Sequence, residues 1–202
     1  MSNSDIVEEH YNKLFVKYGD NPQSCQWTNE YSQTFRFKKL MEIDDLKQKK
    51  ILDVGCGLGD LYLYLKDENI LVEYTGVDIV GGMIELAKKK LPTTRFLRQN
   101  IIEQPLDEKF DYVLMSGIFN SNLERNDQVN FDYMKNLLIA AYDQCTYGIG
   151  FNFISSCVNS RDDEMAYFPP SNVFDFCVLN LSPKVSLFHH YERCDVTVFV
   201  YR

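Results

Sequence analysis

The chain has 202 residues, 45% apolar and 25% charged, with a net charge of −8 from 29 acidic and 21 basic side chains. That length and balance fit one globular domain with a buried core and exclude a disordered chain. The acidic excess disfavours a partner gripped through many phosphates, so nucleic acid is not expected.

Hydrophobic period sets out the elements. Val7, Tyr11, Leu14, Phe15 and Tyr18 recur at helical spacing and predict an amphipathic helix, ended by the turn residues Gly19-Asp20-Asn21-Pro22. A second helix is expected from a Thr28 N-cap to about Asp44. Beyond residue 46 strands and helices alternate. Strands are expected at 50–56, 73–79, 95–101, 110–118 and 147–154, and helices at 58–67, 81–91, 126–143 and 171–181. A polar loop, 155–170, precedes the last helix, and two alternating strands, 184–191 and 195–201, close as a hairpin through Glu192-Arg193-Cys194. The alternation implies an α/β fold, a doubly wound sheet with helices on both faces. A connection as short as the last cannot cross over, so the seven-stranded sheet should be mostly parallel with an antiparallel last strand. Residues 1–46 form an N-terminal helical lid within the same domain, and 47–202 its core.

The cysteines at 25, 56, 145, 157, 177 and 194 include no CxxC pair, and the histidines lack zinc-ligand spacing. No metal is expected, and the thiols read as reduced, as in a cytoplasmic protein. No secretory leader is read at the N-terminus, and no apolar run approaches the ~18 residues of a membrane span.

Ligands of doubly wound sheets lie beyond the carboxyl ends of the strands, where strand order reverses. The first such loop, Leu52 to Asp60, places its glycines at G-x-G-x-G. Glycine removes the Cβ, so a ligand can touch the backbone. The alternatives are a bare tight turn and a dinucleotide loop, whose G-x-G-x-x-G spacing differs by one residue. A pyrophosphate avoids nearby anions, and Asp53 and Asp60 flank these glycines. Acids there suit a ligand with ammonium and sulfonium groups, although Asp60 also fits a helix's first turn. Asp78 ends the second strand, 19 residues after Gly59. It would accept both hydroxyls of an adenosine ribose, or cap the next helix.

LDVGCGLGD (52–60) followed by GVDIVGGMIELAKKK (76–90) resembles motifs one and two of the class I S-adenosylmethionine-dependent methyltransferases, a Rossmann-like family. Phe96 to Ile101 matches that family's third-strand segment, and Phe110-Asp111-Tyr112-Val113-Leu114 its fourth-strand start. The resemblance covers about residues 49–155 by motif and the rest by element order. It implies S-adenosylmethionine as cofactor and S-adenosylhomocysteine as product. Gly55 and Gly57 would admit the methionine part, oriented by Asp53. Asp78 would hold the ribose, Ile79 and Met83 would pack on the adenine, and Asn100 and Ile101 would meet its edge. The family often has Asp where Asn100 stands; Asn keeps an acceptor and adds a donor. Ser116 and Gly117 would lie beneath the methyl end. Arg36 would pair with the cofactor carboxylate, or else sit on an exposed helix face.

The acceptor should lie above the fourth- and fifth-strand loops. The Asn/Asp-Pro-Pro-Tyr/Phe motif of enzymes that methylate amino groups of nucleic acids and proteins is missing, so a small-molecule acceptor is expected. Asn120 and Asn152 would hydrogen-bond it, or stabilise their own loops. Tyr11, Tyr18 and Trp27 would wall it from the lid, or merely pack, and Tyr167 would add a wall from the long loop. His189 and His190 point to opposite strand faces and no general base is assigned. Two other readings stay open: a nicotinamide-dependent oxidoreductase, and a non-catalytic interaction protein on the same fold.

Overall fold

Ile51 and Leu52 are neighbours, both fully buried, yet they belong to different cores. Successive side chains of a strand point to opposite faces, so this sheet is covered on both. The computed structural model of the protein describes residues 3–27, 30–122, 125–190 and 194–202. Its strands are β1 (Lys50–Val54), β2 (Glu73–Asp78), β3 (Arg95–Arg98), β4 (Phe110–Met115), β5 (Cys145–Ile154), β6 (Val185–Phe188) and β7 (Asp195–Tyr201). They form one sheet of seven strands in the order β3-β2-β1-β4-β5-β7-β6. The first five pair in parallel, and β7 runs antiparallel between β5 and β6. A reversed strand begins where its neighbours end, so Asp195 pairs with Ile154 at the carboxyl edge.

The helices are α1 (Asn3–Tyr18), α2 (Glu30–Leu40), α3 (Asp60–Asp67), α4 (Gly81–Lys90), α5 (Asp127–Gln144) and α6 (Pro170–Asn180). On one face α5 and α6 bury Met134, Leu138, Val173 and Cys177 against Leu52, Val113 and Phe151. On the other, α2, α3 and α4 bury Leu40, Leu65 and Ala87 against Ile51, Tyr112 and Leu114. The lid helix α1 packs Tyr11 and Phe15 on a small cluster of Leu58, Val80 and Met83. It thereby overhangs the carboxyl edge between β1 and β2. No helix among the described residues is long and apolar enough to cross a membrane.

Elements stop short of their expected ends where side chains take over backbone donors. The second helix ends at Leu40 and a 3-10 turn, not at Asp44, whose carboxylate accepts the amide of Asp45. The third strand ends at Arg98, because Asn100 Oδ1 accepts the amide of Ile102. Such local bonds compete with regular structure. The sixth strand ends at Phe188, leaving His189 and His190 both exposed rather than one facing inward. The expected Thr28 cap and the hairpin residues Glu192 and Arg193 lie outside the described residues.

Candidate active site

Strand order reverses at β1, which has β2 on one side and β4 on the other. The loop after β1 leaves the sheet sharply, since the amides of Gly55 and Cys56 both donate to the carbonyl of Val77. Gly57 follows with φ +52°, and a Cβ there would stand 2.8 Å from Cys25 Sγ. Only glycine meets both conditions cheaply. The Gly57 amide donates to Asp78 Oδ2 at 2.9 Å, and the Val80 amide donates to Asp78 Oδ1 at 2.9 Å. One carboxylate thus ties the first loop to the start of α4. Burial raises the Asp78 pKa, and the amides of Val80, Gly57 and Ile79 oppose the rise.

A cavity of about 890 Å³, part of it open to solvent, runs along this edge. Asp53, Asp60 and Asp78 line it, and no Lys, Arg or His does so among the described residues. Asp53 is 2% exposed and accepts the Tyr74 hydroxyl at 2.5 Å. Burial pushes its carboxyl up to about 7; the Tyr74 hydrogen bond opposes that rise, and the neighbouring charges of Asp78 and Asp60 add to it. Asp60 Oδ2 accepts a hydrogen bond from Gln33 Nε2 at 2.9 Å.

The expected cofactor residues Asp53, Gly55, Gly57, Asp78, Ile79, Met83, Asn100, Ile101, Ser116 and Gly117 all line this cavity, and so do Tyr11 and Trp27. Arg36 does not. It is buried, donates from Nε and Nη2 to Asp195 Oδ1 at 2.9 and 2.7 Å, and caps the Ser32 carbonyl from Nη1. It is therefore neither on an exposed face nor free for an incoming carboxylate. Asn152 is fully buried, and its Oδ1 accepts the Gly117 amide at 2.8 Å, so it braces the loop after β4. Tyr18 stands outside the cavity, with Lys17 over its ring. Tyr167 organises the long loop, accepting the Asp162 amide on its hydroxyl.

Gln33, Phe37 and Tyr133 also line the cavity and escaped the sequence reading. A signal for the first two existed. Gln33, Arg36, Phe37 and Leu40 share one helical stripe and are all buried, so polar residues on an apolar stripe mark a lined face.

A second cavity of about 420 Å³, part of it open to solvent, adjoins the first. Tyr11, Cys25, Trp27 and Gly117 face both. Gly117 has φ +73°, and a Cβ there would stand 2.5 Å from the Trp27 ring, so glycine makes the seat on which the indole lies. Arg36 stacks on the same ring, 4.9 Å from its centroid.

Residues 51–138 match the family described as a methyltransferase domain. A Mycobacterium tuberculosis protein named as a methyltransferase is 30% identical over 152 residues, which are 74% of this chain and 91% of that relative. A Geobacillus protein with the same kind of name is 33% identical over 146 residues, 67% of this chain; the chain spans only 58% of that relative's length. Among solved structures, the magnesium protoporphyrin IX methyltransferase of Synechocystis, crystallised with S-adenosylmethionine bound, has a TM-score of 0.66 at 15% identity over 100% of this chain and 98% of its own. That likeness shows the fold.

Proposed function

This chain belongs to the class I S-adenosylmethionine-dependent methyltransferases, and from that premise we propose that it methylates a small polar molecule held beneath the α1 and α2 cover. The observation that carries the cofactor reading is the cavity at the glycine loop: three carboxylates, one of them almost fully buried, and no cation among the described lining residues. A buried carboxylate without a cation is costly. An amino-acid ammonium and a sulfonium would supply the missing charge, and so the residues fit the cofactor. When bound, S-adenosylmethionine supplies an electrophilic methyl group and departs as S-adenosylhomocysteine.

In this reading Asp78 accepts the ribose hydroxyls on the lone pairs its two amide bonds leave over. Ile79 and Met83 pack against the adenine, and Asn100 and Ile101 border its edge. Gly55 and Gly57 bring backbone to the methionine part, beside Asp53. Ser116 and Gly117, braced by Asn152, underlie the methyl end. The chain aligns its reactants beneath the α1 and α2 cover, and alignment is most of what an in-line displacement requires. The exposed free thiols of Cys157 and Cys194 support a reducing, cytoplasmic setting. Calorimetry with S-adenosylhomocysteine tests the cofactor half: saturable heat is expected, and none at millimolar ligand would reject it.

Asp53 makes that binding pH-dependent. Its folded, ligand-free pKa of about 7 lies above the ordinary carboxyl value, so its contribution to stability is full below about pH 4 and is lost as pH rises through about 7. An ammonium favours the ionised form, so binding expels the proton. Affinity for S-adenosylhomocysteine should therefore rise from about pH 5.5 to about pH 8, and Asp53→Asn should flatten the profile. Calorimetry in buffers of different ionisation heat counts the proton; a flat wild-type profile would remove Asp53 from the ammonium's neighbourhood.

A further inference from the structure

We propose that the second cavity seats the methyl acceptor and that it selects a small, un-ionised amine whose N–H donates to Asn120 Oδ1; this rests on the methyl-transfer reading above. Position is the first argument. The cavity shares Tyr11, Cys25, Trp27 and Gly117 with the cofactor cavity, and Gly117 belongs to the loop assigned to the methyl end. Its open space is smaller than that of the cofactor cavity, so it suits a small ligand.

The second argument is an orphaned atom. Asn120 Oδ1 is buried and has no hydrogen-bond partner among the described residues. An unpaired buried acceptor is destabilising and calls for an explanation. Asn120 lines this cavity, and a ligand N–H would satisfy it.

Charge narrows the class. The lining has one cation, Arg36, and no carboxylate among the described residues. Arg36 is already held by Asp195 and by the carbonyl and hydroxyl of Ser32. An anionic acceptor would have to displace Asp195, and a cationic one would find no counter-charge and Arg36 already on the Trp27 face. The ligand is therefore neutral.

Proton accounting separates amine from alcohol. An alcohol must lose its proton as it attacks, and so needs a base. The ionisable groups of this lining besides Arg36 are Tyr11 and Cys25, and burial holds both protons on well above the usual range. An un-ionised amine brings its own lone pair. Its nitrogen forms the bond to the methyl carbon while the carbon–sulfur bond breaks and that electron pair stays on sulfur. The nitrogen then carries the positive charge, and its extra proton passes to water as the product leaves.

Trp27 is the sole tryptophan and borders both cavities, so its fluorescence reports each binding event. The probes are small aryl and hydroxyl amines, each matched with the phenol and carboxylate of the same skeleton, titrated into the S-adenosylhomocysteine complex. Amines should change the Trp27 signal and, with S-adenosylmethionine, gain one methyl by mass spectrometry. Asn120→Leu should weaken amine binding about tenfold, leave S-adenosylhomocysteine affinity unchanged and not lower Tm, since Asn120 Oδ1 makes no hydrogen bond among the described residues. Asn120→Asp keeps an acceptor oxygen and should retain amine binding. The proposal is overturned if no amine responds, if the phenols or carboxylates bind as well, if Asn120→Leu binds amines normally, or if that variant's Tm collapses. Failure of S-adenosylhomocysteine itself to bind would instead reject the cofactor reading.

Discussion

Asp195→Ala should lower Tm by roughly 6–20 °C. The substitution leaves the Arg36 guanidinium, 7% exposed, without its carboxylate. Breaking one side of a buried ion pair costs about 3–5 kcal/mol, because the remaining charge stays desolvated. In a domain of this size each kcal/mol moves Tm by roughly 2–4 °C. The double variant Arg36→Met/Asp195→Leu should recover most of the loss, since the penalty lies in the uncompensated charge. Thermal melts followed by circular dichroism decide it. A shift for Asp195→Ala within about 4 °C, the range of an exposed pair, would mean that the pair is solvated.

Asp78→Ala should damage both the fold of the site and its ligand. It removes the acceptor for the Gly57 and Val80 amides, and an amide left unsatisfied costs about 1–3 kcal/mol. It also removes the acceptor proposed for the ribose hydroxyls, so S-adenosylhomocysteine should bind roughly 5- to 150-fold more weakly. Asp78→Asn keeps one acceptor oxygen and should fall between. Melts and calorimetry on the same preparations separate the two losses. A lowered Tm with unchanged affinity would make Asp78 a purely structural tie between loop and helix.

The parts legible in the sequence are those whose physics is local. Gly55, Gly57 and Asp78 stood out because backbone conformation, strand ends and offset are short-range properties, and the cavity brings them together. The β-α alternation announced the sheet for the same reason, and the short last connection announced the reversed strand. Arg36 was misplaced because its partner lies 159 residues away, and helical spacing says which face a residue takes but not what meets it. Asn152 looked like a ligand group, yet its carbonyl serves a backbone amide 35 residues upstream. The second cavity is made by α1, the segment from Cys25 to Trp27, α2, the loop after β4, the end of β5 and Met165 late in the long loop, and no period in the sequence joins these.

The Arg36–Asp195 pair also orders events in time. A chain is made from its amino end, so α2 leaves the ribosome long before β7. The clasp that holds α2 over the carboxyl edge must wait until β7 has slotted between β5 and β6. A nascent or carboxyl-truncated chain would carry the glycine loop and Asp78 with its cover unlatched. Completion of the last strand thus supplies the buried charge that anchors α2 over the carboxyl edge.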